Sequence, residues 1–296
     1  YHCTLFHAST IGRTFEKIRD ALLVICIKEL LHVNAQKLKA VTDIPQKEVM
    51  LLLAHTLGKE MSWLITHSDE CVEVDECFWQ KLERRENHEP LEYILGSATF
   101  YGKAFDVDER VLIPRPETEL LVDKVVELAD AYHAPHIVEI GCGSGIISIM
   151  LALLLPHAKI TAVDISEDAL HVSKHNACKH GVSERIEFIK GSYLDGVEGT
   201  IDMIVSNPPY IANDEPLGLG LAYEPSLALY GGIKGDEMLK HIVDLFDIQG
   251  ARCLACEMGY DQRKALSEYA QHKGLAIDFY KDLAGLDRGF WIRKDI

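Results

Sequence analysis

The sequence predicts an α/β fold: a doubly wound, mostly parallel seven-stranded sheet preceded by a small N-terminal helical domain and a connecting β-hairpin. Three observations predict it. Beyond about residue 116, seven short apolar runs alternate with helical stretches, the signature of a sheet with helices on both faces. The residues before 98 instead carry apolar positions at helical spacing. Between them, Ala98 to Val107 alternates around Gly102 like a hairpin.

Taken in chain order, Phe15 to His32 reads as a helix, with Ala21 to Ile27 as its buried, most apolar part. Pro45 opens a second helix in which Val49, Leu52, Leu53 and Leu57 recur at helical spacing, and Gly58 closes it. A third helix spans Val74 to Asn87, and a short one follows from Pro90 to Leu95. Strands are expected at His136–Ile140, Lys159–Val163, Arg185–Ile189, Ile201–Ser206, Arg252–Cys256, Leu275–Phe279 and Phe290–Ile292. The last two, joined by the Gly285 to Gly289 loop, suit an antiparallel edge pair. The expected domains are 1–97, helical and substrate-docking; 98–115, hairpin and linker; and 116–296, the α/β domain.

Composition limits the partners. With 30 Lys+Arg against 46 Asp+Glu, the formal net charge of -16 repels the phosphate backbone, so no direct nucleic-acid contact is expected. No run approaches the roughly 20 apolar residues of a membrane span. The start lacks a basic region followed by an apolar core, so a cytoplasmic protein with reduced thiols is expected. Cys253 and Cys256 form a C-x-x-C, but without a second pair they read as core thiols on a strand. His171 and His175 have the i, i+4 spacing of metal ligands but lie on a polar helix face with no third ligand, so no metal is expected.

Two loops carry the chemistry. Glu139-Ile140-Gly141-Cys142-Gly143-Ser144-Gly145 follows a strand and opens a helix, where a sheet of this class binds its ligand. A dinucleotide fingerprint needs glycine at position 146, where Ile146 stands, so the spacing argues against a pyrophosphate seat. Asp164 ends the next strand, where an acid accepts hydrogen bonds from both hydroxyls of a ribose; it identifies a nucleoside but not which one. Glu139 either faces a cationic end of that ligand or caps the loop.

Asn207-Pro208-Pro209-Tyr210 follows the strand Ile201–Ser206. An amide or aromatic amine nitrogen has a delocalised lone pair and attacks a sulfonium methyl only if held along the line of displacement. Two acceptors achieve this: the Asn207 side-chain oxygen and the Pro208 carbonyl, whose backbone is fixed by the two prolines. Tyr210 is expected to pack on the planar group. Its hydrogen bonds to those acceptors strengthen as the nitrogen gains positive character, so no strong base is required. Arg115, in the stiff Pro114-Arg115-Pro116 linker, either orients substrate backbone or ties the domains together.

With these residues in place, the chain resembles the release factor glutamine methyltransferases, the HemK family, over nearly its whole length. The resemblance rests on Glu89-Pro90-Leu91-Glu92-Tyr93-Ile94-Leu95-Gly96, on Leu112-Ile113-Pro114-Arg115-Pro116-Glu117-Thr118-Glu119, and on Tyr223-Glu224-Pro225 with Ala228-Leu229 and Gly231-Gly232. It implies an S-adenosylmethionine-dependent methyltransferase fold, S-adenosylmethionine as donor with S-adenosylhomocysteine as product, and as acceptor the glutamine of the Gly-Gly-Gln loop of peptide chain release factors. It further implies that Gly141 to Gly145, Asp164 and Asn207 contact the cofactor, that Tyr193 stacks by the adenine, and that Asn207 to Tyr210 hold the glutamine. Ser192 departs from the family, where an acid is common, and the first fifteen residues match nothing in it. The alternatives are a nucleic-acid exocyclic amino methyltransferase of the adenine N6 type and a non-catalytic factor-binding module.

Overall fold

A computed structural model describes residues 23–294 of the 296-residue chain. The chain divides into two compact units, Tyr1–Leu95 and Gly96–Ile296. The first contains β1 (Leu23–Cys26), α1 (Ile27–Leu38), α2 (Pro45–Leu57), α3 (Met61–Thr66), β2 (Cys71–Val74), α4 (Glu76–Glu86) and α5 (Leu91–Leu95). Its core gathers Ile27, Leu31, Leu52, Leu53, Leu64, Phe78 and Leu82. Helix α2 starts at Pro45, whose missing N–H is one that a first turn leaves unpaired anyway. It ends where Gly58 turns left-handed, at φ 61°, and returns its N–H to the carbonyls of Ala54 and His55.

The helix expected over Phe15 to His32 is corrected here. Residues 15–22 lie outside the described part, and Leu23–Cys26 is a strand, so the buried helix expected over Ala21 to Ile27 is replaced by a strand up to Cys26. That strand pairs antiparallel with Cys71–Val74. A short run with two β-branched residues has no decisive period, and the available partner strand settles its state. The third helix likewise starts later than Val74, which ends β2; Asp75 caps α4 by accepting from the Phe78 N–H at 3.3 Å.

The second unit opens with the hairpin β3 (Ser97–Phe100) and β4 (Lys103–Asp106). Its two-residue turn has Tyr101 and Gly102 both at positive φ, 51° and 67°, the twist that suits right-handed strands. There follow α6 (Thr118–Ala129), β5 (His136–Ile140), α7 (Ile146–Leu154), β6 (Lys159–Asp164), α8 (Glu167–Lys179), β7 (Ile186–Lys190), β8 (Met203–Ser206), β9 (Ile211–Ala212) and β10 (Tyr230–Gly232). The unit closes with α9 (Glu237–Gln249), β11 (Cys253–Glu257), α10 (Arg263–His272), β12 (Ile277–Lys281) and β13 (Asp287–Arg293).

Seven strands form one sheet in the order β12-β13-β11-β8-β5-β6-β7. Strands β11, β8, β5, β6 and β7 run parallel, and β13 is antiparallel to both its neighbours. The sheet is thus mostly parallel, as expected, and its central strands β5, β8 and β11 are buried along their whole length because helices cover both faces. One face packs Leu121, Val125, Ile149 and Leu151, the other Leu239, Ile242, Phe246 and Leu266. Cys253 belongs to the first layer and Cys256 to the second, so the C-x-x-C thiols face opposite sides of the sheet and share no ligand.

Asn176, fully buried on α8, joins the hairpin to the sheet. Its Nδ2 donates to the carbonyls of Asp106 at 3.0 Å and Ser144 at 2.9 Å, and its Oδ1 accepts from the Asp106 N–H at 2.8 Å. One side chain thereby pins β4 and the loop after β5 together. Asn176→Ala leaves those groups without their partner and is expected to destabilise the junction by about 1–3 kcal/mol. Hydrogen exchange at the Asp106 amide reads this directly; unchanged exchange in the variant would show that the junction is held by something else.

Candidate active site

Strand β5 lies between β6 and β8, and the chain winds from it in both directions across the sheet. The register sets Ile140 opposite Ser206, whose Oγ donates to the Ile140 carbonyl at 2.7 Å. The loops that begin at Gly141 and Asn207 therefore leave the sheet side by side, at the carboxyl-end crevice where doubly wound sheets bind ligands. A cleft opens there, lined by Glu139 to Ser144, Asp164, Gly191 to Tyr193, Asn207 to Pro209 and the 110–115 segment.

The glycine loop is shaped by close hydrogen bonds. The N–H groups of Gly141 and Cys142 donate to the Val163 carbonyl at 2.8 and 3.1 Å. Gly141 and Gly143 sit at φ 74° and 52°, and a Cβ on either would meet nothing within 4 Å, so the backbone itself forms the cleft wall. Gly145 begins α7 with no room to spare: its Cβ would lie 2.7 Å from Ser173 Oγ. Cys142 and Ser144 line the same cleft, both buried; the Cys142 thiol lies 3.4 Å from Ser173 Oγ.

Asp164 ends β6, as the sequence suggested, but it also braces the loop. Its Oδ2 accepts from the Gly143 N–H at 2.8 Å and its Oδ1 from the Ser166 N–H at 2.9 Å. Burial raises its pKa and those backbone donors pull it back. Each oxygen keeps a lone pair for a ligand hydroxyl. Glu139 is more enclosed. The Ser148 N–H donates to its Oε2 at 2.9 Å and the Ser148 hydroxyl donates to the same oxygen. Burial outweighs both bonds and pushes its pKa up to about 8, so near neutral pH it holds a proton. Glu139 thus accepts from the first turn of α7 and also lines the cleft. Tyr193 adopts positive φ, 54°, with its ring edge-on to His241 at 4.4 Å.

The Asn207-Pro208-Pro209-Tyr210 turn is held from behind. Asn207 Nδ2 donates to Thr118 Oγ1 at 3.2 Å, and Thr118 Oγ1 donates to Glu257 Oε2 at 2.7 Å. The Tyr210 hydroxyl donates to Glu257 Oε1 at 3.4 Å, and Gln262 Nε2 donates to the Tyr210 carbonyl at 3.0 Å. A Cβ on Gly231 would lie 2.3 Å from the Pro209 carbonyl, so only glycine admits the β10 backbone there. Asn207, Pro208 and Pro209 line the cleft, and the Tyr210 ring packs against the layer of Leu239, Ile242 and Phe246. Burial and the neighbouring carboxylate push its hydroxyl pKa up to about 12.

Arg115 lines the cleft but is already engaged. Its Nη2 donates to Glu224 Oε1, while Glu224 Oε2 accepts from the Ile113 N–H at 3.0 Å. The tie runs within the second unit, between the 113–115 segment and Glu224 in the segment after the Asn207–Tyr210 turn. His171 is exposed, and His175 pairs with Asp106 Oδ2 at 2.8 Å. No group of three or more His, Cys, Asp or Glu among the described residues could hold a metal ion. Sequence reasoning gave no role to Thr118, Glu224, Glu257, Gln262 or Asn176. Glu257 had a signal: an acid closing an otherwise apolar buried strand, the same pattern that singled out Asp164.

Comparison with known proteins agrees with this architecture. Residues 29–96 match the PrmC N-terminal domain and residues 116–217 the methyltransferase small domain. A bifunctional methyltransferase of Rickettsia bellii is 34% identical, over 88% of this chain and 54% of that protein. The chain thus spans about half the length of that relative. Among solved structures, the hMettl16 catalytic domain in complex with MAT2A 3'UTR hairpin 1 superposes with a TM-score of 0.56 at 15% identity, covering 97% of this chain and 94% of that one, a likeness of fold alone. A release factor glutamine methyltransferase of Clostridium botulinum is 36% identical over 84% of this chain and 92% of its own. With both domain models matched and such a relative covered almost end to end, the chain belongs to the release factor glutamine methyltransferase family.

Proposed function

We propose that this protein transfers a methyl group from S-adenosylmethionine to the side-chain amide nitrogen of the glutamine in the Gly-Gly-Gln loop of peptide chain release factors. The observation that carries it is the junction of β5 and β8, where an open glycine loop and an amide-bearing turn share one cleft. Family membership supports the acceptor.

The residues present suit the donor molecule. Glycines whose Cβ would meet open space leave room for it against the backbone. Asp164 offers two acceptor oxygens for ribose hydroxyls, and Tyr193 an aromatic face at the cleft edge. Glu139, buried and protonated, stands ready to ionise opposite a positive charge. Bound S-adenosylmethionine supplies an electrophilic methyl on a sulfonium. The chain's own part is to hold the amide nitrogen in line, with one N–H on the Asn207 Oδ1 and the other on the Pro208 carbonyl. Those acceptors stabilise the positive character that nitrogen gains as its bond to the methyl forms. As that bond forms, the methyl–sulfur bond breaks with its electron pair left on sulfur, giving S-adenosylhomocysteine, and the nitrogen releases one proton to solvent.

A glycine-flanked loop alone offers few contacts, so we assign docking of the folded release factor to the N-terminal unit. At the cleft itself, Leu227 is exposed and lines the wall, an apolar contact for an incoming peptide segment.

Labelled methyl transfer to intact release factor, to its Gln→Ala loop variant, and to RNA and DNA tests the assignment. Label is expected on the intact factor alone; equal label on the Gln→Ala variant, or efficient labelling of nucleic acid only, would overturn it. Asn207→Ala should lower turnover on the order of a hundredfold, measured beside cofactor affinity; near-normal turnover would remove the two-acceptor arrangement.

The Glu139 carboxyl gives a pH signature. Its pKa of about 8 in the free cleft means that a cationic ligand, by favouring the charged form, must release protons on binding near pH 7. Affinity should therefore rise with pH up to about 8 and level off above. Calorimetry of cofactor binding in two buffers of different ionisation heat counts those protons. Glu139→Gln should lose the Glu139 share, and identical proton release in wild type and variant would disconnect Glu139 from the ligand's charge.

A further inference from the structure

We infer that Glu257 is a positioning residue for methyl transfer: through the Thr118 hydroxyl it fixes which way the Asn207 amide faces, and so presents the Asn207 oxygen to the acceptor nitrogen. This rests on the proposed reaction but concerns residues outside its contacting set.

Hydrogen-bond direction sets the orientation of the Asn207 amide. An asparagine amide has a donor end and an acceptor end of nearly the same shape, and only its partners decide between the two orientations. Asn207 has one such partner on the protein side, the Thr118 hydroxyl at 3.2 Å. A threonine hydroxyl carries a single hydrogen, so it donates to one neighbour and accepts from another. An ionised Glu257 can only accept; at 2.7 Å it claims the Thr118 hydrogen. Thr118 is left with lone pairs only, and the NH2 end of Asn207 must face it. The Asn207 oxygen is then free on the cleft side.

Protonation of Glu257 reverses the relay. A protonated carboxyl donates to Thr118, which then donates its own hydrogen to the Asn207 oxygen, and the acceptor end of the amide is consumed within the protein. Buried on β11, Glu257 is set for such a change: burial pushes its pKa up to about 7. Four groups face it: the Arg288 guanidinium lowers its pKa, Glu117 raises it, and the Tyr210 hydroxyl donates to it, while the buried Tyr280 hydroxyl feels its charge. Among the described residues Tyr280 OH has no hydrogen-bond partner, so it makes no bond to the Glu257 oxygens. The relay ties the turn that follows β8 to α6 and β11.

Three variants test this with readouts that a loss of packing would not reproduce. Thr118→Val keeps shape and removes the relay; it should lower kcat on the order of tenfold to a hundredfold, with KM and cofactor affinity near wild type. Thr118→Ser restores the hydroxyl and should restore kcat. The wild-type kcat should rise with pH through about 7, and Glu257→Gln should lack that limb. In the ligand-free protein, the side-chain amide resonance of Asn207 should shift over the same pH range, and not in Glu257→Gln. A wild-type protein that methylates no release factor would defeat the proposed function but leave the amide titration to decide this inference. An Asn207 resonance indifferent to Glu257, or a Thr118→Val variant of normal kcat, would overturn it.

Discussion

The parallel pairing of β5 with β8 is the constraint on which the rest depends. Those strands are far apart in the chain, with two other strands and two helices between them, yet Ile140 and Ser206 stand opposite each other and are tied again by the Ser206 hydroxyl. Because the chain winds away from β5 in opposite directions, the ends of the two strands are not covered by a crossover helix. The glycine loop and the Asn-Pro-Pro-Tyr turn emerge into that gap together. A one-residue slip in this register would reverse the facing of every side chain on β8 and separate the two loops.

Around the gap, the structure buries Asp164, Glu139 and Glu257 instead of leaving them in solvent, and each is managed differently. Asp164 is compensated by backbone N–H donors, Glu139 by Ser148 alone, and Glu257 by Thr118, Tyr210 and the nearby Arg288. Burial of an ionised carboxylate is costly, so the less compensated groups keep their protons to higher pH. The result is a graded set. A rim carboxylate, an inner one and a third behind the Asn207–Tyr210 turn differ in how firmly they hold a proton because their donors differ.

Support for the turn comes from three sides. Gly231 lets a neighbouring strand press directly on the Pro209 carbonyl, Gln262 holds the Tyr210 carbonyl, and Thr118 holds Asn207. A site built on a short loop is only as accurate as the shell that restrains it. Here the restraints come from α6, β10 and the start of α10, so the motif's geometry is a property of the whole second unit.

The sequence by itself determined the strand pattern, the mostly parallel sheet and the two loops at its carboxyl end, since periodicity, glycine spacing and proline stiffness are local properties. It also determined that Asp164 closes a strand beside the glycine loop. It misread Leu23–Cys26, where a run of four residues cannot declare its state without its partner at Cys71–Val74. Tertiary structure alone decided that Tyr210 meets Glu257, that Arg115 pairs with Glu224, and that Thr118 links Asn207 to β11. In each case the deciding partner lies dozens of residues away, and the direction of a hydrogen bond depends on which donor or acceptor the fold brings within reach.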